Sequence, residues 1–303
     1  MKKIAVISVI IVAVVIGVIF GTGILDNKDS AEETTTVSEA ETTTSVNIDW
    51  NGDDYKTIDN DGLINILLIG QDKREGEERQ RSDAMILCSF NPETSRLSMI
   101  SFLRDLYVQI PGYEDNRLNA AYAYGGFELL KETLEFNFGI SVDGCLESDF
   151  DGFEKIIDTI GGVEIELTPE EAEIVGTNEG LCNLSGSQAL TYARIRKIDS
   201  DFQRTERQRK IINSVFEKAK TYSLSELAMF FSEILPLMST DMTDDEIMTL
   251  ALTLASFFEE LETQSFSIPS QGNYENAVIR EMAVLVPDLY EIKKLIFEEY
   301  LPM

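Results

Sequence analysis

The chain has 303 residues, with 54 Asp or Glu against 25 Lys or Arg, a formal net charge of -29 and no histidine. The missing imidazole removes the commonest general base and zinc ligand, and so acidic a chain lacks the positive field used to bind a nucleic-acid backbone. Three cysteines, Cys88, Cys145 and Cys182, show no metal-ligand spacing and are read as buried free thiols.

Lys2 and Lys3 precede an uncharged stretch rich in Ile and Val, Ile4 to Leu25. As a helix it rises about 33 Å, enough to cross a hydrocarbon core of about 30 Å. Its unbroken length favours a transmembrane anchor over a cleaved signal peptide. The lysines place residues 1–3 in the cytoplasm and everything after Leu25 outside the cell. Residues 26–62 contain eleven acidic and two basic residues around two Thr triplets. Nothing there can form a core, so the segment is read as an extended, self-repelling linker. Residues 63–303 are long enough for one domain and show no second linker.

Within that domain Ile64 to Ile69 reads as a buried strand closed by Gly70. Ala84 to Phe90 and Leu97 to Leu103 read as a hairpin about the turn Asn91-Pro92-Glu93-Thr94. Leu118 to Phe138 is predicted helical across Gly125-Gly126, Ile140 to Leu146 a strand, Phe150 to Ile160 a helix, and Val163 to Leu167 an alternating strand. The pairs Ser185/Gln188, Ser223/Glu226 and Thr243/Glu246 are capping boxes that start helices. Another helix runs from Asp201 to Lys220, Ser265 to Ile268 is a last strand, and Pro287 opens a terminal helix. This mixture without strict alternation predicts an α/β fold, a mixed central sheet sandwiched by helices.

Eleven of the twelve arginines fall in two windows: Arg74, Arg79, Arg81, Arg96, Arg104 and Arg117, then Arg194, Arg196, Arg204, Arg207 and Arg209. Only Arg280 lies outside. An acidic protein that gathers guanidinium groups is building a site for a multidentate anion, and the planar fork suits phosphate. Asp72 and Asp83 end and begin neighbouring strands; without His or Cys nearby, two carboxylates suit a hard cation such as Mg²⁺ shared with phosphate. Arg104-Asp105 ends the third strand, and Arg117 adds charge to the same edge as a further expected pyrophosphate-binding residue. Arg194 and Arg196 share a face only on extended backbone, with Ile195 turned inward. On the helix that follows, Arg204, Arg207 and Gln208 form one face, while Ile211, Ile212, Val215 and Phe216 supply the core. Arg79, Arg96 and Arg209 are assigned to the surface.

The ordered set Gly70-Gln-Asp-Lys-Arg, Arg81-Ser-Asp, Ser101-Phe-Leu-Arg-Asp, Leu118-Asn-Ala-Ala-Tyr-Ala-Tyr-Gly-Gly126, Asp149-Phe-Asp-Gly-Phe, Ile160-Gly-Gly-Val, Leu184-Ser-Gly-Ser-Gln-Ala-Leu-Thr-Tyr-Ala-Arg-Ile-Arg196 and Asp201-Phe-Gln-Arg-Thr-Glu-Arg-Gln208 resembles the LytR–CpsA–Psr family of cell-wall proteins. Leu103, Ala84 and Arg117 depart from its usual Pro, Thr and Lys without removing a charge.

The resemblance implies a membrane-anchored phosphotransferase of a Gram-positive-type bacterium. Its donor is a glycopolymer, such as wall teichoic acid or capsule, on polyprenyl pyrophosphate, and its acceptor is peptidoglycan. It implies Mg²⁺, or Mn²⁺, on Asp72 and Asp83. Pyrophosphate is implied on Arg81, Arg104, Arg194, Arg196, Arg204 and Arg207 beside Gln208, with the lipid tail in an apolar pocket between sheet and helices. The expected catalytic set is Asp83, Arg81, Arg104, Asp105 and Arg194, with Asp83 or Asp105 as the base. A hydrolase that passes the same phosphate to water, and a non-catalytic receptor or regulator for wall polymers, are the alternatives.

Overall fold

The structure, a computed structural model, describes residues 62–71, 82–195, 201–219, 221–223, 226, 229–230, 233–255 and 261–301. The predicted membrane helix and all but the last residue of the linker lie outside this set. In chain order the elements are β1 (Ile64–Gln71), β2 (Ser82–Asn91), β3 (Arg96–Phe102), β4 (Tyr107–Val108), β5 (Asn116–Arg117), α1 (Leu118–Phe138), β6 (Gly144–Ser148), α2 (Phe150–Thr159), β7 (Val163–Leu167), α3 (Pro169–Val175), β8 (Gly180–Leu184), α4 (Gly186–Ala193), α5 (Asp201–Ala219), β9 (Ser239–Thr240), α6 (Asp244–Ala255), β10 (Glu262–Ile268), β11 (Tyr274–Ile279), β12 (Met282–Pro287) and α7 (Leu289–Leu295).

The main sheet has the order β10-β3-β2-β1-β6-β9. β1 runs parallel to β6 and antiparallel to β2, while β3 is antiparallel to β2 and parallel to β10. Successive side chains of a strand point to opposite faces, and here both faces are covered. Ile66, Leu68, Ile86, Cys88 and Met99 pack with α2, α4 and α5 on one side. Leu67, Ile69, Met85, Leu87, Ile100 and Phe102 pack with α1 and α7 on the other. The uninterrupted apolar run of β1 follows from burial on both faces.

This topology gathers several strand ends at one edge of the sheet. β1, β3, β6 and β10 all end there and β2 begins there, as the pairs Gly70↔Ala84, Gly70↔Ser148 and Met85↔Phe102 require. The chain therefore delivers Asp83, Arg104-Asp105 and Asp149-Phe150 to the same rim, with Asp72 next in sequence after β1.

Four expectations change in detail. The fourth predicted strand is Gly144–Ser148 and not Ile140 to Leu146. Residues 140–143 instead wrap the start of β1: Asn65 donates its backbone N–H to Asp143 Oδ2 and its side-chain amide to the Ser141 carbonyl. Helix α1 is kinked at Gly126 (φ 68°, ψ -147°), a conformation open to glycine alone among the common residues. Pro287 closes β12, and the terminal helix starts at Leu289 with the Asp288 side chain as its cap. Cys88 and Cys145 are buried, whereas Cys182 is partly exposed on the β7–β8 hairpin. The three predicted capping boxes are made, at Ser185/Gln188, Ser223/Glu226 and Thr243/Glu246.

Candidate active site

Asp105 is the centre of the described part of the site. Its Oδ2 lies 3.4 Å from Arg104 Nε and its Oδ1 3.2 Å from Arg117 Nη1. All three side chains are mostly buried, at 14%, 23% and 26% exposure for Arg104, Arg117 and Asp105. One carboxylate thus joins an arginine from the end of β3 to one from β5. Both contacts are ion pairs by distance, which makes the carboxylate a bridge between two cations. Two backbone bonds hold this corner together: Asn119 donates its N–H to the Arg104 carbonyl at 3.3 Å, and Leu118 to the Leu106 carbonyl at 2.7 Å.

Arg194 arrives from the other side. The Ser185 capping box starts α4, and Gly186 lets its first turn lie against α2, because a Cβ there would sit 2.1 Å from the Glu154 carbonyl oxygen. The Gly186 N–H donates to Asp158 Oδ1 at 2.7 Å. Eight residues later Arg194 caps the helix with its guanidinium 4.7 Å from the centre of the Phe150 ring. A cation over an aromatic face is held without losing its charge. Arg194 itself has φ -98° and ψ -1°, so it ends a helix and is not extended as predicted. Ile195 is buried as expected, and Arg196 lies outside the described residues. Phe150 follows β6 and Arg104 follows β3, three strand spacings apart, or about 14 Å.

Arg204, Arg207 and Gln208 share one face of α5 and are buried at 3% exposure each. Arg207, expected among the pyrophosphate ligands, donates its Nε to Glu171 Oε1 at 2.8 Å and its Nη1 to the Ile195 carbonyl at 3.0 Å. It ties α5 to the segment that carries Arg194. Ile211, Ile212 and Val215 enter the core as predicted. Arg209 corrects the sequence reading. It is 8% exposed, and its Nη1 donates to Ser101 Oγ, Ser267 Oγ and the Phe266 carbonyl, fastening α5 to β3 and β10. Arg96 is a surface residue paired with Glu262, as expected.

Asp72, Arg81, Arg74 and Arg79 lie outside the described residues, and of Asp83 only the backbone is described. Gln71, the last residue of β1, pairs with Ser82, so the Asp83 backbone stands at the adjoining strand end. Ser82 Oγ is buried there with no hydrogen-bond partner among the described residues. Were the carboxylates of Asp72 and Asp83 to join that buried hydroxyl, the donors would all be oxygen, the chemistry that suits Mg²⁺ or Mn²⁺.

A cavity of about 1070 Å³ lies between the β7–β8 hairpin and α5, and one of about 400 Å³ lies beside β1 and α6. The larger is lined by Glu164, Glu166, Lys210, Glu217 and Lys218 among others, which does not suit a prenyl chain. Neither includes a predicted site residue.

Sequence reasoning missed three contributors. Glu171 looks like a solvated acid in Pro169-Glu170-Glu171, but Thr168 three residues earlier signals a capping box, and that box turns Glu171 inward. Phe150 could be found only through its motif. The β11–β12 hairpin, with Ala283 accepting from Arg117 Nη2 at 2.8 Å, gave no periodic signal.

The model of the LytR_cpsA_psr family matches residues 22–295. Regulatory protein MsrR of Staphylococcus aureus is 31% identical over 225 residues, 72% of this chain and 68% of that protein. Polyisoprenyl-teichoic acid–peptidoglycan teichoic acid transferase TagU of Oceanobacillus iheyensis is 36% identical over 241 residues, 74% and 71% of the two chains. A solved structure of TagT, a protein of Bacillus subtilis, bound to LI-WTA superposes with a TM-score of 0.64 at 27% identity, covering 82% of this chain and 94% of that one. The chain belongs to the LytR–CpsA–Psr family, and its mixed sheet with covering helices is that family's fold.

Proposed function

We propose that this protein is a phosphotransferase that moves an anionic glycopolymer from a polyprenyl-pyrophosphate carrier to peptidoglycan. The observation that carries the reading is the delivery to one sheet edge of Arg104 and Arg117, bridged by Asp105, and of Arg194 seated on Phe150. Phosphoryl transfer demands positioning and charge neutralisation more than covalent help from the protein. Arg104 and Arg117 hold the pyrophosphate from one side and Arg194 from the other, with charge growing on the departing lipid phosphate as the bond to the glycan phosphate breaks. Arg81 and Arg196 belong to the same set. Because Asp105 is occupied by two arginines, we assign proton removal from the acceptor hydroxyl to Asp83. Asp72 and Asp83 would hold Mg²⁺, which supplies further neutralisation of the pyrophosphate when bound. The transferase name of TagU and the LI-WTA complex of TagT support this reading.

The stretch Ile4 to Leu25 anchors the protein in the cell membrane with the catalytic domain outside, where residues 26–62 tether it near its lipid-linked donor at high local concentration. The name of MsrR favours one other reading, a regulator that binds wall polymers without turnover. The deciding experiment gives the detergent-solubilised full chain a lipid-linked donor, with and without peptidoglycan, and analyses the products. Glycan phosphate joined to peptidoglycan supports the transferase. Free glycan phosphate in both arms means a hydrolase. Donor binding with no turnover, unchanged in a protein with Asp72→Ala and Asp83→Ala, means a receptor.

A further inference from the structure

The single arginine outside both windows, Arg280, stands at the tip of the β11–β12 hairpin. Ile279 pairs with Met282, so Arg280 and Glu281 form a two-residue loop, with φ 49° and 60°. A loop with both central residues in the left-handed region favours Asn and Gly. A residue with a long side chain keeps that conformation only where its surroundings over-determine it.

Those surroundings are specific. Arg280 Nη1 lies 2.5 Å from Glu114 Oε2, and Nη2 donates to Tyr107 Oη at 2.8 Å and to the Asp115 carbonyl. Tyr107 is the register partner of Arg117, and Glu114 and Asp115 lead directly into β5. The same hairpin then reaches both halves of the Asp105–Arg117 pair. Its Ala283 carbonyl accepts from Arg117 Nη2 at 2.8 Å, and its Leu285 N–H donates to the Asp105 carbonyl at 2.9 Å.

We propose that Arg280 is a positioning residue for the anion site. It clamps the β11–β12 hairpin onto the β4–β5 segment and so holds Asp105 and Arg117 where Arg104 and Arg117 meet a pyrophosphate. This rests on the pyrophosphate reading given above, but the clamp itself is testable without a ligand.

Arg280→Asn removes the guanidinium and leaves a residue that tolerates left-handed backbone. In the full chain in detergent, its Leu285 amide should exchange with solvent at least about tenfold faster than in the wild type, from loss of the clamp. KM for a polyprenyl-pyrophosphate-linked donor should rise about tenfold or more, with kcat within about threefold, because misplaced ligand-binding groups weaken the site from a distance. Arg280→Lys should recover part of the loss, since it keeps the charge opposite Glu114 but not the fork. Unchanged Leu285 exchange, or unchanged KM, in a folded Arg280→Asn protein overturns the proposal. Should that variant not fold, Glu114→Gln removes the anionic partner and is judged by the same two readouts. A wild-type chain that does not bind the donor sinks the pyrophosphate reading, while the exchange result still decides the clamp.

Discussion

Arg207 donates its Nε to Glu171 Oε1 at 2.8 Å, and neither side chain is more than 8% exposed. The pair joins α5 to α3, while the other end of the guanidinium holds the carbonyl of Ile195, next to Arg194. Removing one partner of a buried pair strands a desolvated charge, at a cost of about 3–5 kcal/mol. Glu171→Ala should therefore lower the unfolding free energy by that amount in urea titrations. A loss under about 1 kcal/mol would mean the guanidinium finds water or another acceptor.

Arg194 separates binding from folding. It caps a helix at the surface and packs on Phe150, so Arg194→Ala should cost no more than about 1 kcal/mol of stability, the worth of an exposed cation–π contact, while nearly abolishing transfer. Phe150→Ala should weaken transfer less, because the cation–π contact is worth about 0.5–2 kcal/mol. Full transferase activity in a folded Arg194→Ala protein would remove Arg194 from the site.

Gly186 tests the packing beneath that arginine. Its added methyl group would meet backbone atoms of Glu154, the nearest at 2.1 Å, and backbone cannot step aside as a flexible side chain can. Gly186→Ala should cost about 1–3 kcal/mol as α4 is pushed off α2. Transfer should fall further than the folded fraction does, because Arg194 moves with the helix. Parallel denaturation and activity measurements decide this.

Burial pushes the thiols of Cys88 and Cys145 far above the usual 9.0. Below pH 9 both the folded and unfolded thiols are protonated and contribute no slope. Above it the unfolded state loses these protons and the folded state keeps them, so stability falls as pH rises. Unfolding midpoints should drop between pH 9 and 10.5, and replacing both cysteines by Ala should flatten part of that fall. At pH 8 the native protein should react with a thiol reagent at Cys182 before either buried cysteine, as peptide mapping of the labelled protein would show.

Much of the fold was legible because burial leaves periodic marks. The doubly buried β1 reads as an apolar run, the Asn91-Pro92 turn announces its hairpin, and Ser185 and Thr243, three residues before Gln188 and Glu246, start α4 and α6 where predicted. Short pairings left no such mark. β4, β5 and the β11–β12 hairpin are held by register, by backbone bonds to other strands and by Arg280, so their own residues show little pattern. The direction of the α5 arginines was equally hidden. A charged helix face looks the same whether it meets solvent, an anion or, as for Arg207 and Arg209, the buried polar groups of the protein itself.

Taken alone, the sequence determined the pattern of charge, twelve arginines with eleven in two clusters and no histidine, and this is what our proposal of phosphate and a hard cation as partners starts from. It also carried the family in the order of its motifs. Only the tertiary structure decided which guanidinium groups gather at the sheet edge and which hold the scaffold. That choice depends on strand order and helix placement, which bring residues far apart in the chain to within a hydrogen bond of one another. Arg117 beside Asp105, and Arg280 behind them, follow from such contacts.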